Sequence, residues 1–147
     1  CYLASKPHLG RVLGASVVPT HVNGRVSGIV KPYNRLLRSE FIEMIGINYA
    51  GYASEKAEDP EIFRDLVRLG VHDLESSGDY KNGAPQAGLY LDRFGAETGE
   101  AKEDVIALAQ KISQDFIDFH FGEVKKLADL LKERYILTGH EIEAAIG

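Results

Sequence analysis

From Asn34 onward the apolar residues of this chain recur every three or four positions, which commits most of its 147 residues to amphipathic helices. Over Leu36–Lys56, the residues Leu37, Phe41, Met44, Ile45, Asn48, Tyr49 and Tyr52 fall on one mostly apolar stripe, expected to form a single buried helix face. Gly46, Ala50, Gly51 and Ala53 lie on the same stretch. Small residues there let a second helix approach closely, at about 1 kcal/mol per glycine relative to alanine. Asp59-Pro60-Glu61 is a helix start: an acid at the cap, proline at the first helical position, a second acid near the positive end of the dipole. That helix is expected to reach Leu69 and to break at Gly70, with Val71–Ser77 beginning a new turn or helix. Asp79–Pro85 reads as a polar turn, Ala87–Phe94 as a short helix and Gly95–Gly99 as a loop.

Two longer helices are expected next, over Glu100–Phe121 and Glu123–Tyr135. Val105, Ile106, Leu108, Ala109, Ile112, Phe116 and Phe119 mark the inner face of the first, and Val124, Leu127, Ala128, Leu130 and Leu131 that of the second. Gly122 would join them as an antiparallel helical hairpin. Thr138-Gly139-His140-Glu141 has the spacing of a capping box and opens a last helix, Glu141–Ile146.

The start of the chain follows a different period. Val12–Pro19 and Arg25–Lys31 are β-like runs separated by a segment ending in Asn23-Gly24, a hairpin signal, with Pro19 and Pro32 closing the strands. Two strands alone are marginal, so the hairpin must pack on helices or gain a further strand. Cys1 to Lys6 reads as the tail of a helix. The expected fold is therefore mainly α, a helical bundle with a small β-hairpin near the N-terminus. It is read as a single domain, residues 1–33 carrying helix tail and hairpin and 34–147 the helical part.

Composition narrows the functional classes. A net charge of −5 with no basic stripe argues against a nucleic-acid partner, whose affinity comes mostly from neutralised phosphates. No apolar run is long enough to cross a bilayer. A single cysteine cannot form an internal disulfide and excludes a Cys-rich zinc module. A cytoplasmic location is expected, with any membrane association arising from a region outside this chain.

The five histidines are His8, His21, His72, His120 and His140, and no two stand in a His-Glu-x-x-His arrangement. There is no phosphate-binding Gly-x-x-x-x-Gly-Lys-Ser/Thr loop and no Gly-x-Ser-x-Gly elbow. Spacing alone thus assembles no complete active site. His8 and His21 are expected to be ordinary exposed residues, His72 a surface or loop residue, and His120 a partly buried helix residue. Glu55 and Glu58 share a helix face, but Lys56 and Asp59 beside them point to a solvated helix end. Tyr49, Tyr52, Phe41 and Phe63 are expected in the core, and Phe116, Phe119 and Phe121 in the core or at a contact between helices.

Several segments, taken in order, resemble the peptidase domain of FtsH-type ATP-dependent zinc metallopeptidases. Ile45-Gly46-Ile47-Asn48-Tyr49-Ala50-Gly51-Tyr52-Ala53-Ser54-Glu55 is similar to the family's Ala-Gly helix, and Gly70-Val71-His72-Asp73-Leu74-Glu75 to its Gly-Ala-x-x-Asp-Leu segment. Leu127 through Glu141 is similar to its C-terminal pattern, and Val17-Val18-Pro19 with Gly28 to the strands after its zinc helix. Tyr52 where the family has arginine, and Ser76-Ser77 where it has Ala-Thr, mark a remote member.

The resemblance implies zinc as cofactor, held by two histidines of His-Glu-x-x-His and one distant aspartate. Only the aspartate carries over, onto Asp73; no catalytic residue does. A carboxylate suits the third ligand position because the fourth stays open for water and substrate. Cys1-Tyr2-Leu3-Ala4 stands where the zinc helix would end, so the motif is either cut off just upstream, which is the expectation, or absent. From its residues alone Asp73 reads first as a helix N-cap, and only the resemblance brings the ligand reading level with it. The resemblance further implies a protein or peptide substrate bound along a sheet edge, a homo-oligomer and an attached ATPase. The alternative is a non-catalytic helical module that uses the same scaffold for protein contacts.

Overall fold

A computed structural model describes residues 9–17, 25–70 and 78–146, with the side chains of 25–27 and 78–80 left out of the description. It is mainly helical, with a small antiparallel sheet, as the periodicity requires. The elements are β1 (Gly10–Ser16), β2 (Arg25–Val30), α1 (Arg38–Ile47), α2 (Ala50–Glu58), α3 (Pro60–Arg68), α4 (Gly78–Thr98), α5 (Lys102–Phe119), α6 (Phe121–Arg134), β3 (Ile136–Thr138) and α7 (Gly139–Ile146). Contacts divide the chain into two compact units, Cys1–Arg35 with His120–Gly147, and Leu36–Phe119.

The first unit is built on a sheet of order β2-β1-β3. The expected hairpin is present, although β1 starts two residues before Val12, because Gly10 pairs with Val30. An added Cβ at Gly10 would sit 2.2 Å from the Ile29 carbonyl oxygen, so this close pairing needs glycine. A bulge falls between Val12 and Gly14. Leu13 is the extra residue, and it lets Val12 and Ala15, three positions apart, both turn inward. They meet Leu127 of α6, Leu137 of β3 and Ile142 of α7 in one apolar cluster. The turn region with Asn23-Gly24 and Pro19, and the segment Cys1–Lys6, lie outside the described residues.

β3 was not anticipated. Its three residues pair with Gly14–Ser16 and supply the further strand the hairpin needs. It follows Tyr135, which ends α6 in the left-handed region at φ 62°. The Tyr135 carbonyl accepts a 2.7 Å bond from the Val17 N–H, continuing the ladder. The capping box at Thr138 forms as expected. Glu141 accepts from the Thr138 N–H at 2.8 Å, and the Glu141 N–H donates back to Thr138 Oγ1 at 3.3 Å. The first helical residue is Gly139, where an added Cβ would stand 2.3 Å from the Val12 carbonyl oxygen.

In the second unit α1, α2 and α4 each pack on α5. The small residues of the α1–α2 stretch act as expected: an added Cβ at Gly46 would lie 3.1 Å from the Ala109 carbonyl oxygen of α5. The stretch is two helices, however, not one. Asn48 ends α1 because its side-chain amide bonds the Ile45 carbonyl at 3.0 Å, competing with the backbone, and reaches Gln86 of α4 at 2.8 Å. Phe41, Met44, Ile45 and Tyr49 are buried as read, but Leu37 is 65% exposed and Leu36 takes its inward place. α3 begins as the Asp-Pro signal requires, with the Asp59 carboxylate accepting from the Ile62 N–H at 3.0 Å. It ends before Gly70, whose φ is +73°.

The largest correction concerns Asp79–Pro85 and Gly95–Gly99. Both belong to α4, except Gly99, and Pro85 sits inside that helix. Tertiary burial overrides the turn-forming residues: Ala87 and Tyr90 are fully buried. Gly83 leaves the space that the Tyr49 ring occupies. The last boundary also differs. α5 stops at Phe119, and Gly122 lies inside α6, so His120 marks the junction. α5 belongs to the second unit and α6 to the first. Within α5 the buried residues are Val105, Ile106, Ala109, Ser113 and Ile117, while Phe119 is 85% exposed and not core.

Candidate functional site

Two features bear on the expected chemistry: the outer edge of the sheet and the segment that carries Asp73. At the edge, the Lys31 N–H bonds the Leu9 carbonyl at 2.9 Å, and Arg11 stands opposite Ile29. Alternation along an antiparallel pair then turns the backbone groups of Gly28 and Val30 away from β1. Among the described residues no strand pairs with that side of β2. Ile29 and Val30 are 64% and 59% exposed, an unusually apolar finish for a strand edge. Such an edge accepts an extended chain by backbone pairing, with side-chain selection at alternate positions.

Asp73 lies in 71–77, outside the described residues, as do His72, His8 and His21. Its segment runs from the left-handed Gly70 that follows α3 to the start of α4. The two remaining histidines, His120 and His140, lie among the described residues. His120 is the half-buried N-cap residue of α6, not an interior helix residue, with Nδ1 3.9 Å from Glu123 Oε1. His140 is exposed in the first turn of α7. Among the described residues no group of three His, Cys, Asp or Glu side chains is placed to hold a metal ion. The described residues therefore do not by themselves fit zinc. Glu55 and Glu58 are exposed at the end of α2, in keeping with a solvated helix end. Tyr49 and Phe41 are buried, whereas Tyr52 and Phe63 are only half-buried and meet edge to face, centroids 6.0 Å apart.

One closed polar network among the described residues carries no sequence signal. Arg38 of α1 donates from Nε to the Tyr90 hydroxyl at 2.7 Å and from Nη2 to Glu100 Oε1 at 2.7 Å. The Tyr90 hydroxyl donates to Glu100 Oε2 at 2.8 Å, closing the ring of bonds. The hydrogen bond from Tyr90 is the main reason the Glu100 carboxyl is held below its ordinary range, with Thr98 and Arg38 adding to it. Burial pushes the Tyr90 hydroxyl up, and the bond to that hydroxyl raises Arg38 further. The ring of bonds fastens α1 to α4 and to the link before α5. Residues 52 and 10 positions apart with no shared motif left no signal to find it by.

No family model matches the chain, and no curated protein sequence matches it.

Proposed function

We propose that this chain forms the helical and edge-strand part of an FtsH-type zinc metallopeptidase that hydrolyses peptide bonds in an extended protein or peptide substrate. What supports the reading is the outer edge of β2, where Gly28 and Val30 turn their backbone groups outward beside exposed Ile29 and Val30 side chains. An extended substrate would lie along it as an added strand. The order of the family-like segments, from hairpin through the Ala-Gly helix and Asp73 to the capped last helix, is the second support.

Asp73 would supply the carboxylate ligand, and the two histidines would come from a His-Glu-x-x-His segment, which these 147 residues do not contain. Bound there, zinc would supply the polarised water that attacks the scissile carbonyl. Homo-oligomers and a coupled ATPase belong to the same proposal.

The test uses the complete gene product and a fluorescently labelled unfolded protein. Chelator-sensitive cleavage that Asp73→Asn abolishes, with the fold intact by circular dichroism, is the expected outcome. Val30→Pro removes an outward-facing N–H and leaves the β1 ladder paired, so it should raise KM more than it lowers kcat. Absent cleavage, together with peptide binding that Val30→Pro weakens, would overturn the enzyme reading in favour of a non-catalytic module that binds extended chains at the same edge.

A further inference from the structure

α3 uses only part of its apolar surface inside the second unit. Its main neighbour among the described residues is α2, met through the edge-to-face contact of Phe63 with Tyr52, and none of its own residues is buried. Successive helical residues turn by about 100°, so Ile62, Leu66 and the C-cap residue Leu69 form a second stripe beside the Phe63 side. Ile62 and Leu69 are 58% and 70% exposed. The apolar arc is thus wider than the side that meets α2.

The charges beside this stripe select what lies on it. Glu61, Asp65 and Arg68 follow one another at helical spacing along one border, while Arg64 falls on the far side. Arg68 lies 3.5 Å from Asp65 of its own helix, both side chains exposed. Glu61 has no ion-pair partner among the described residues. The border therefore runs from an acid at the helix start to a base at its end. A uniformly basic or acidic helix laid along it would meet like charge at one end, and an anionic membrane would meet two acids. A second copy running parallel would set acid against acid and base against base. A second copy running antiparallel sets Glu61 beside Arg68 of the other copy, twice by symmetry. The two Asp65 side chains then come near the axis, each still beside its own Arg68.

We propose that α3 is the contact surface for a second copy of this chain, two α3 helices packing antiparallel about a two-fold axis near Leu66. Ile62 of each copy packs near Leu69 of the other. The inference is independent of the peptidase reading, since it uses neither the β2 edge nor Asp73. Three aliphatic side chains per copy cover much less than the roughly 1,200–2,000 Å² of a standard stable interface, so the pairing is weak and concentration-dependent.

Sedimentation velocity of the 147-residue chain from about 10 µM to about 1 mM tests it, with a reversible monomer–dimer equilibrium of Kd roughly 0.1–1 mM expected. Leu69→Glu should abolish the dimer, whereas Leu89→Glu on α4, also at an exposed position, should leave it unchanged. Glu61→Arg and Arg68→Glu should each raise Kd several-fold, and the double variant should return it towards the wild-type value. The two positions stand about 10 Å apart along one helix, so the restored pairing is between copies. In a Cys1→Ser background, Glu61→Cys and Arg68→Cys chains should form disulfide dimers when mixed and far fewer when each is alone. Thermal melts confirm that each variant is folded. A chain that stays monomeric at the highest concentration, a dimer indifferent to Leu69→Glu, or Glu61→Cys chains that cross-link best with one another would overturn the proposal.

Discussion

Replacing Tyr90 by phenylalanine keeps the ring and removes one oxygen, which isolates the polar ring of bonds from the packing around it. The phenylalanine ring should hold the edge-to-face contact with Phe41, now at 5.7 Å, and the tilted contact with Phe94 at 5.2 Å. What is lost is a fully buried hydroxyl that donates 2.8 Å to Glu100, whose side chain is only 21% exposed. A hydrogen bond to a charged group contributes about 1.5–3 kcal/mol, and water reaching the part-exposed carboxylate replaces some of that. We take about 1–2 kcal/mol as the cost at neutral pH. Arg38 adds nothing to this figure, because its guanidinium is half exposed and finds water instead.

The pH dependence carries a defined sign. Glu100 is depressed in the folded protein, so its contribution is fully present above the ordinary carboxylate range and lost as pH falls through the depressed value. The gap between wild type and Tyr90→Phe should therefore narrow on acidification. Urea unfolding at neutral pH and at about pH 3 measures both. A Tyr90→Phe protein as stable as wild type at neutral pH, or a gap that widens in acid, would refute the assigned network.

Three further substitutions probe the first unit. Gly139→Ala should destabilise by about 1–3 kcal/mol in urea unfolding through overpacking on the Val12 carbonyl, although helix propensity alone predicts a gain of about 1 kcal/mol. Tyr135→Gly should raise thermal stability by about 0.5–1 kcal/mol, since it relieves a left-handed conformation at a helix C-terminus on a half-exposed residue. Thr138→Ala should cost about 1 kcal/mol as a lost cap. That cost should shrink in acid: the Thr138 N–H, which alanine keeps, and then the Thr138 hydroxyl, which it loses, hold the Glu141 carboxyl low, and the hydroxyl's share disappears once Glu141 is protonated.

The parts of the fold legible in the sequence are those fixed within a few residues. The Asp59 cap, the Thr138–Glu141 box, the stop at Gly70 and the β1–β2 pairing depend on neighbours or on simple alternation. α4 was illegible because Asn82, Gly83 and Pro85 signal a turn locally, while burial of Ala87 and Tyr90 against other elements decides otherwise. β3 was illegible because three residues cannot display a period, and its pairing partner lies more than a hundred positions away. The bulge at Leu13 hid the inward spacing of Val12 and Ala15 for a related reason: it breaks alternation by one residue. Of the candidate site, the apolar β2 edge could be read from Ile29-Val30, whereas Asp73 was singled out by resemblance and not by any physical signature of its own.

The peptidase reading is tested most directly by counting metal. Purified complete gene product, washed free of loosely held ions, should contain one zinc per chain by atomic emission, and Asp73→Ala should bring this close to zero without unfolding the protein. A wild-type product with no zinc, or an Asp73→Ala product that retains it in full, would contradict the account.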